Sequence, residues 1–270
     1  MLDPIQSPIL SHKEYGRESV FTVENMLREA HRQKAIPEGN IPRICILDPD
    51  GDLTEYLIHT GQAVLHPYWA CYHTKLYAFD HQGIPFGIIP HVVGASFAVL
   101  VAEELFVSGC NLLISVTSAG QIVPMGKPPY FVLIKQALRD EGTSYHYLPP
   151  ALYSDINPAL LNCLEGVFEE GSIRVLFGAT WTTDAPFRET EAAIEYAKSE
   201  GILGVEMEAA ALYAFAQVTG RFVVCFAHIT NQMAQIEGDF EKGLDQGSHD
   251  ALSVITRTAQ HWLVNDFATT

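Results

Sequence analysis

Apolar and polar positions alternate along the chain in blocks that predict strands and helices in turn. Compact apolar runs predict strands at residues 44–47, 111–117, 130–134, 172–180, 202–207 and 221–230, and a hairpin over 76–90 that turns at 81–83. Longer periodic or fully apolar segments predict helices at residues 23–34, 96–109, 156–170, 189–199, 208–218 and 250–264.

The order of these elements predicts the fold class. From residue 84 onward strands and helices alternate, which is typical of helices that cover a largely parallel sheet. No repeat, low-complexity tract or linker interrupts the pattern. We therefore expect an α/β protein in which residues 1–43 form an N-terminal arm and helix and residues 44–270 form a single α/β domain.

Composition and charge exclude several classes of function. The 270 residues carry 16 Lys plus Arg against 32 Asp plus Glu, a formal net charge of -16 that nucleic acid and anionic membrane surfaces repel. The five cysteines are scattered without CxxC spacing, so neither a disulfide framework nor a zinc site is expected. No signal-type or membrane-spanning apolar run occurs, and we expect a cytoplasmic protein without a metal.

Polar residues gather where predicted strands end, which is where ligands bind in open α/β folds. The four segments are HVVGAS (91–96), TSAGQ (117–121), VEMEAA (205–210) and HITNQ (228–232). TSAGQ could form an anion-binding nest. Taken alone, it is more typical of a tight turn that needs Gly120 for its backbone angles.

VEMEAA carries the sharpest chemical signal. Glu206 and Glu208 flank Met207 where a strand becomes a helix. A helix dipole accounts for one carboxylate, worth about 0.3–1 kcal/mol, but not for two beside an apolar segment. A carboxylate pair at this place suits vicinal hydroxyls such as those of a ribose, with Met207 beneath the sugar.

Ser96 offers a different reading of the chain. GASFA half-matches the nucleophile elbow of serine hydrolases, and Asp184 and His228 follow in the order that such enzymes use. The second glycine of that motif is absent, which favours Ser96 as a helix cap. A serine hydrolase stays an alternative.

Taken together, VEMEAAAL, GASFAVLVAEEL, TSAGQI and TTDAPFRE resemble the nucleoside phosphorylase/nucleosidase superfamily, and most of all its uridine phosphorylase-like members. The resemblance implies a three-layer αβα fold with a central mixed sheet and a homo-oligomer built from dimers. It implies cleavage of the N-glycosidic bond of a nucleoside, pyrimidine type favoured, nominally by phosphorolysis to base and ribose 1-phosphate, and no cofactor.

The resemblance also assigns roles. Glu208 would hold the ribose hydroxyls with Met207 beneath the sugar and Glu206 close by, and Glu208, Arg188 and Asn231 would be catalytic. Asn231 stands where purine-cleaving members carry Asp, and Phe187 and Arg188 face the base. Further candidates for substrate binding are His91, Gly94, Thr117, Ser118, Ala119 and Gly120, with His12 and Arg17 from a neighbouring subunit.

The phosphate site departs from the family pattern. Leu53 and Ser115 stand where arginines are expected, and none occurs around Tyr72, where a third would come across a dimer. Like charges from Asp48, Asp50 and Asp52 lie where phosphate would approach. Other groups could bind phosphate (Arg43, Arg17, His91 or His12), the acceptor could be water, or the chain could bind nucleosides without catalysis.

Overall fold

A mixed β-sheet runs through the protein, whose computed structural model describes residues 7–233 and 237–265. Its strands are β1 (Ile44–Asp48), β2 (Val64–Leu65), β3 (Tyr77–His81), β4 (Ile84–Pro90), β5 (Leu112–Gln121), β6 (Tyr130–Asp140), β7 (Tyr153–Asp155), β8 (Val175–Thr183), β9 (Gly204–Glu206) and β10 (Phe222–Asn231).

Eight α-helices in the described ranges accompany the sheet. They are α1 (Val23–Lys34), α2 (Asp52–His59), α3 (Ala95–Val107), α4 (Ser144–Tyr147), α5 (Pro158–Leu164), α6 (Glu191–Ser199), α7 (Ala209–Thr219) and α8 (Ser248–Val264). Short 3-10 turns occur at Pro8–Leu10, Pro186–Arg188 and Leu244–Gly247.

The strand order is β10-β6-β8-β9-β5-β1-β4-β3-β2, with β7 added beside β6. Strand β10 also pairs with β5, so the strands β5, β10, β6, β8 and β9 form a closed ring. Pairing is parallel at β1–β4, β1–β5, β5–β10, β6–β8 and β8–β9 and antiparallel at β6–β10 and β5–β9. The predicted α/β fold with a central mixed sheet is confirmed.

Two groups of helices pack on the sheet. Helices α1, α4 and α7 meet α3 or one another, while α2, α5 and α8 form a second group. Helix α7 is buried along almost its whole length, and its Tyr213 hydroxyl donates to the carbonyl of Ile134 at 2.6 Å and accepts from the N–H of Cys225 at 3.0 Å. Because these bonds tie α7 to β6 and β10, they fix the helix start, where the paired glutamates lie.

Several predicted segments differ from the structure, among them the strand expected over 130–134, which continues to Asp140 as β6. The helix expected over 156–170 is limited to Pro158–Leu164, and the strand expected over 172–180 is found at Val175–Thr183. The strand expected to stop at residue 117 continues to Gln121 as β5. It continues because its end gains two neighbours, β9 and β10, which are distant in sequence.

Candidate active site

Glu206 ends β9 and is bound on every side by donors from its own chain. Its carboxylate accepts from the hydroxyls of Thr180 and Thr182 and from the N–H groups of Glu208 (2.7 Å) and Ala209 (2.8 Å). The two threonines are brought there because β8 runs parallel to β9. Burial raises the pKa of Glu206, and these four donors oppose that shift. The side chain therefore holds the first turn of α7 against β8.

Glu208 caps the start of α7 and faces a different environment. Its Oε1 accepts from the N–H of Gly94 at 2.7 Å and its Oε2 from the N–H of Met207 at 3.3 Å. Gly94 precedes α3, so this bond joins the starts of two helices. The side chain is 1% exposed, whereas Met207 beside it is half-buried.

The pKa of Glu208 is raised as well, and a second cause adds to burial. Burial and then the nearby charge of Glu206 raise the pKa of Glu208 to about 8. Hydrogen bonds from Gly94, Thr117 and Met207 lower it only in part. At neutral pH the unliganded Glu208 therefore holds a proton that hydroxyl donors and a neighbouring positive charge would displace.

The TSAGQ segment is strand rather than turn, so the tight-turn expectation is wrong. Gly120 has an extended backbone and pairs with Asn231 of β10 and Val205 of β9. A Cβ at Gly120 would lie 2.7 Å from the sulfur of Met233 and 3.3 Å from Oδ1 of Asn231. Gly120 is thus small because the chain after β10 packs directly on it, which places Asn231 beside Gly120.

Asn231 is already held by its own loop. Its Oδ1 accepts from the N–H of Met233 at 2.9 Å and its Nδ2 donates to the hydroxyl of Thr230 at 3.2 Å. It is 8% exposed at the edge of β10. Hydrogen-bond partners of this amide nitrogen among the described residues are limited to Thr230, and an amide nitrogen carries two N–H donors.

A cleft lies between the loop after β1 and the end of β5, and Asp50 lines it where the sequence predicts a phosphate site. Its Oδ2 accepts from both the N–H (3.2 Å) and the hydroxyl of Ser118. Lys242 pairs with Asp50 at 3.3 Å and also with Asp52. Burial lowers the pKa of Lys242, but the two carboxylates outweigh it and the net direction is upward. Lys242 is therefore shared between two aspartates.

Asp48 builds the turn that carries these aspartates. Buried at the end of β1, it accepts from the N–H groups of Gly51 (3.2 Å) and Thr54 (2.8 Å) and from the Thr54 hydroxyl (2.8 Å). Burial raises its pKa to about 6. Leu53 is buried in α2, and Ser115 is buried in β5. Both positions lie within the core and present no cation to the cleft.

The other candidate phosphate ligands are placed in different regions. His91 has a positive φ of 60°, and its ring packs against Gly51, where a Cβ would come within 2.1 Å of it. Arg43 precedes β1 and donates to Asn111 at 2.8 Å, at the opposite ends of β1 and β5 from Asp50. Since a five-residue strand spans about 17 Å, Arg43 does not reach the cleft.

The N-terminal arm lies on its own chain near α4. Lys13 contacts His146 at 2.8 Å, and the hydroxyl of Tyr15 donates to the carbonyl of Tyr145 at 3.4 Å. Arg17 pairs with Glu14 at 3.6 Å, and His12 has a positive φ of 56°. Phe187 and Arg188 lie on the 3-10 turn after β8, where the side chain of Phe187 is fully exposed.

The residues of the serine hydrolase alternative do not come together. Gly94 is the cap of α3, so the expectation that Ser96 caps it is wrong, and Ser96 is exposed in the first turn. Asp184 accepts from the N–H of Gly142 at 2.8 Å, and the His228 ring stacks on Phe131 at 4.3 Å. Nowhere in the described ranges do Ser96, Asp184 and His228 bond to one another.

The described residues contain neither a metal-type cluster nor a membrane-type helix. Within residues 7–233 and 237–265 no group of three or more His, Cys, Asp or Glu side chains is arranged to hold a metal ion. Over the same ranges, none of the helices combines the length and apolarity that crossing a bilayer requires.

Sequence reasoning missed Lys242, Thr180 and Thr182. The threonines follow the strand rule that alternate side chains share a face, which places 180 and 182 together beside Glu206. Lys242 carries no such signal, because its loop reaches Asp50 and Asp52 only in the folded chain.

Comparisons with known proteins identify the family and the fold of the chain. A sequence profile of the phosphorylase superfamily matches residues 43–260. A uridine phosphorylase from Thermococcus kodakarensis is 25% identical over 203 residues, 67% of this chain and 65% of that relative, so the match spans slightly under two thirds of its length.

Two crystal structures of uridine phosphorylase from Vibrio fischeri ES114 share the fold. One, complexed with 6-hydroxy-1-naphthoic acid, has a TM-score of 0.66 at 20% identity and covers 86% of this chain and 95% of that one. The other has a TM-score of 0.68 at 21% identity, covering 82% and 93%. The superfamily match includes all four strand-end segments and most of the chain. The chain belongs to the phosphorylase superfamily.

Proposed function

We propose that the protein cleaves the N-glycosidic bond of a nucleoside, with pyrimidine nucleosides favoured. The observation that carries the proposal is Glu208, a buried carboxyl of raised pKa that lies between the starts of α3 and α7 and contacts Thr117 of β5. No cation of the described residues acts on this carboxyl, so it can release its proton and accept hydrogen bonds from ribose hydroxyls.

The chemistry follows from charge development. Breaking the bond builds positive charge on the sugar ring and negative charge on the departing base. Glu208 accepts hydrogen bonds from the ribose hydroxyls and stabilises the sugar charge, and half-buried Met207 lies beneath the ring. Glu206 keeps the helix start in place through Thr180 and Thr182, so we assign it a positioning role.

The base end is assigned to Asn231 and Arg188. Asn231 lies beside Gly120 and can donate to a carbonyl oxygen of a pyrimidine without protonating a purine ring. Phe187 is free to close over the base, and Arg188 beside it supplies positive charge to the leaving group. Ser118, Ala119, Gly94 and His91 complete the proposed lining.

Phosphate is the nominal acceptor, and water is the second candidate. Water is favoured by the bond between Asp50 and Ser118, because the donors that would receive an anion are already taken by a carboxylate. Two like charges 4 Å apart cost about 4 kcal/mol at an effective dielectric constant near 20. Asp50 and Asp52 would impose that cost on an incoming phosphate.

A nucleoside panel assayed with and without phosphate tests the proposal. Release of free base from uridine or another pyrimidine nucleoside, read by chromatography, is the expected result. Binding of nucleosides without base release would instead support a non-catalytic nucleoside-binding protein. Release of acyl products from esters, with labelling of Ser96 by a fluorophosphonate, would support the serine hydrolase.

Assembly and location are proposed on similar grounds. We expect a homo-oligomer built from dimers, in which His12 and Arg17 of the arm approach a neighbour. All five cysteines are free, which fits a reducing cytoplasm.

A further inference from the structure

A basic pocket lies beside β3 and β4, next to the loop that joins β4 to α3. Its volume is about 600 Å³, which is within the range of small-molecule sites. One acidic side chain, that of Glu55, lines it together with four basic ones, which belong to Lys34, His73, Lys75 and His91.

This collection of basic groups runs against the charge of the whole chain. Asp and Glu number 32 against 16 Lys and Arg, and the formal net charge is -16. Acidic groups are thus twice as common as Lys and Arg over the chain, whereas in the pocket two lysines and two histidines face a single glutamate. The pocket therefore differs in sign from the average surface of the protein.

The basic groups of the pocket are not neutralised by ion pairs. Within residues 7–233 and 237–265, none of the four lies within 4 Å of an Asp or Glu oxygen. The ammonium of Lys34 donates to the carbonyl of Cys71 and lies 5.2 Å from the ring centroid of Tyr72, so neutral groups hold it in place. Lys75 is exposed and makes no side-chain hydrogen bond in the same ranges. An anionic ligand would meet charges that are free to bind it.

A buried carboxyl behind the pocket offsets little of this charge. Glu104 on α3 is 1% exposed and does not line the pocket. Burial raises its pKa, which favours its neutral form. Cys71 beside it and the charges of His73 and Lys34 lower the pKa only in part.

The strand order places the pocket beside the proposed sugar site, on the side away from the base. Asn231 and Gly120 of the base end belong to β10 and β5, whereas the pocket lies at β4 and β3, beyond β1. The N–H of Gly94, which binds Glu208, follows His91 of the pocket by three residues, a span of at most about 11 Å. In a nucleoside the base and the 5′ carbon occupy opposite ends of the ribose. A nucleoside with its base at β10 therefore directs its 5′ end toward β4.

We propose that the basic pocket binds a phosphate monoester, and that the substrate is a nucleoside 5′-monophosphate whose phosphate lies in this pocket while its ribose contacts Glu208. The inference rests on the proposed function and names its substrate class. Lys34 and Lys75 supply charge-assisted hydrogen bonds to the phosphate oxygens. The phosphate is bound and not transferred, so the bond that breaks remains the N-glycosidic bond.

Matched pairs of substrates test the proposal on the full chain. UMP, CMP and AMP are compared with uridine, cytidine and adenosine, in phosphate-free buffer and again with inorganic phosphate. For the best pair, kcat/KM of the nucleotide should exceed that of the nucleoside about 100-fold or more, mainly through KM. Lys75→Gln keeps the length of an exposed side chain and removes its charge, so this ratio should fall about tenfold.

Lys198→Gln is the matched control, because Lys198 is a lysine on α6 that pairs with Glu195 and lies outside the pocket. Its ratio of kcat/KM values should equal that of the wild type. Titration calorimetry with ribose 5-phosphate and with ribose measures binding apart from catalysis. Ribose 5-phosphate should bind more tightly than ribose, and Lys75→Gln should reduce that difference about tenfold.

The outcomes separate the pocket from the reaction. Equal kcat/KM for nucleotide and nucleoside, or a ratio that Lys75→Gln leaves unchanged, overturns the inference and leaves the proposed function standing. So does a rate on nucleosides that rises with inorganic phosphate and loses this rise in Lys75→Gln, since the pocket would then bind the free ion. No base release from any of the six compounds overturns the proposed function, and the calorimetry then still decides whether the pocket binds the phosphate.

Discussion

Glu206 and Glu208 are two residues apart and both are buried, but different neighbours bind their carboxyl groups, and we assign them different roles. Four donors surround the carboxylate of Glu206. Glu208 accepts from two backbone N–H groups and from Thr117, and burial together with the charge of Glu206 raises its pKa. The sequence marks both glutamates as candidates. It could not separate them, because Thr180 and Thr182 reach Glu206 through the pairing of β8 with β9.

Replacing Glu208 tests the sugar site directly. Glu208→Gln keeps shape but removes the charge and one acceptor, so turnover should fall roughly 10- to 1000-fold. Ribosides should lose more than 2′-deoxyribosides, since the latter lack one of the hydroxyls being held. Steady-state kinetics on both substrates measure this, with Glu195→Gln on the exposed face of α6 as the control. Unchanged kinetics on both would place the sugar elsewhere.

The same substitution has a pH signature in stability. The pKa of Glu208 rises from an unfolded value near 4.5 to about 8 in the fold, so the folded state holds an extra proton between these values. The stabilisation that this proton gives to the folded state is complete below the unfolded pKa and is lost as the pH rises through the folded pKa. The Tm of Glu208→Gln relative to the wild type should therefore increase from about pH 5 to about pH 9. A constant difference in scanning calorimetry would contradict the assignment.

At the scale of elements, the antiparallel pairing of β5 with β9 leaves no room for a side chain at Gly204. A Cβ at Gly204 would lie 2.6 Å from Ile229 and 3.1 Å from the carbonyl of Gly120. Gly204→Ala should lower the free energy of unfolding by about 1–3 kcal/mol, because backbone as well as side chain must move. Gly16→Ala, where no atom lies within 4 Å of the added Cβ, is the control in denaturant titrations. Equal midpoints would refute this packing.

Helices and strands whose bounds depend on local sequence signals were predictable. Those whose bounds depend on pairing with segments distant in sequence were not. Helix α1 is found at the residues that the periodic pattern predicts, and the hydroxyl of Thr22 accepts from the N–H of Asn25 at its start. β5 passes through the small residues of TSAGQ because β9 and β10 pair with them. Helix α2 begins inside the DPDGD turn, where Asp48 supplies the acceptor for its first N–H groups.

Part of the candidate site was predictable for the same reason. Strand ends identified VEMEAA, TSAGQ and HITNQ, and the ring of strands brings all three together. The partner of Asp50 was not predictable, because Lys242 is 192 positions away and lies in a loop without periodicity.

At the scale of the whole molecule, the N-terminal arm carries exposed apolar side chains that are relevant to the proposed dimer. Val20 and Phe21 on the arm and Leu100 and Val107 on α3 are exposed apolar side chains. A large contiguous patch of exposed apolar side chains usually marks a surface that contacts another protein. Light scattering at micromolar concentration should give the mass of a dimer or a multiple of it. A monomer mass would contradict the proposed assembly and leave His12 and Arg17 without a site to complete.

The closed ring of strands has a consequence for how the protein fluctuates. β5 and β9 share only two register pairs, while β5 and β10 pair along nearly their full length. We therefore expect local opening to begin where β9 meets β5, and exchange at the amide of Ile122, bonded to the carbonyl of Leu203 at 2.9 Å, would report it. A nucleoside that contacts both Ser118 and Glu208 spans this junction, so its binding should slow deuterium exchange at Ile122 and leave Val223, deep in β10, unchanged.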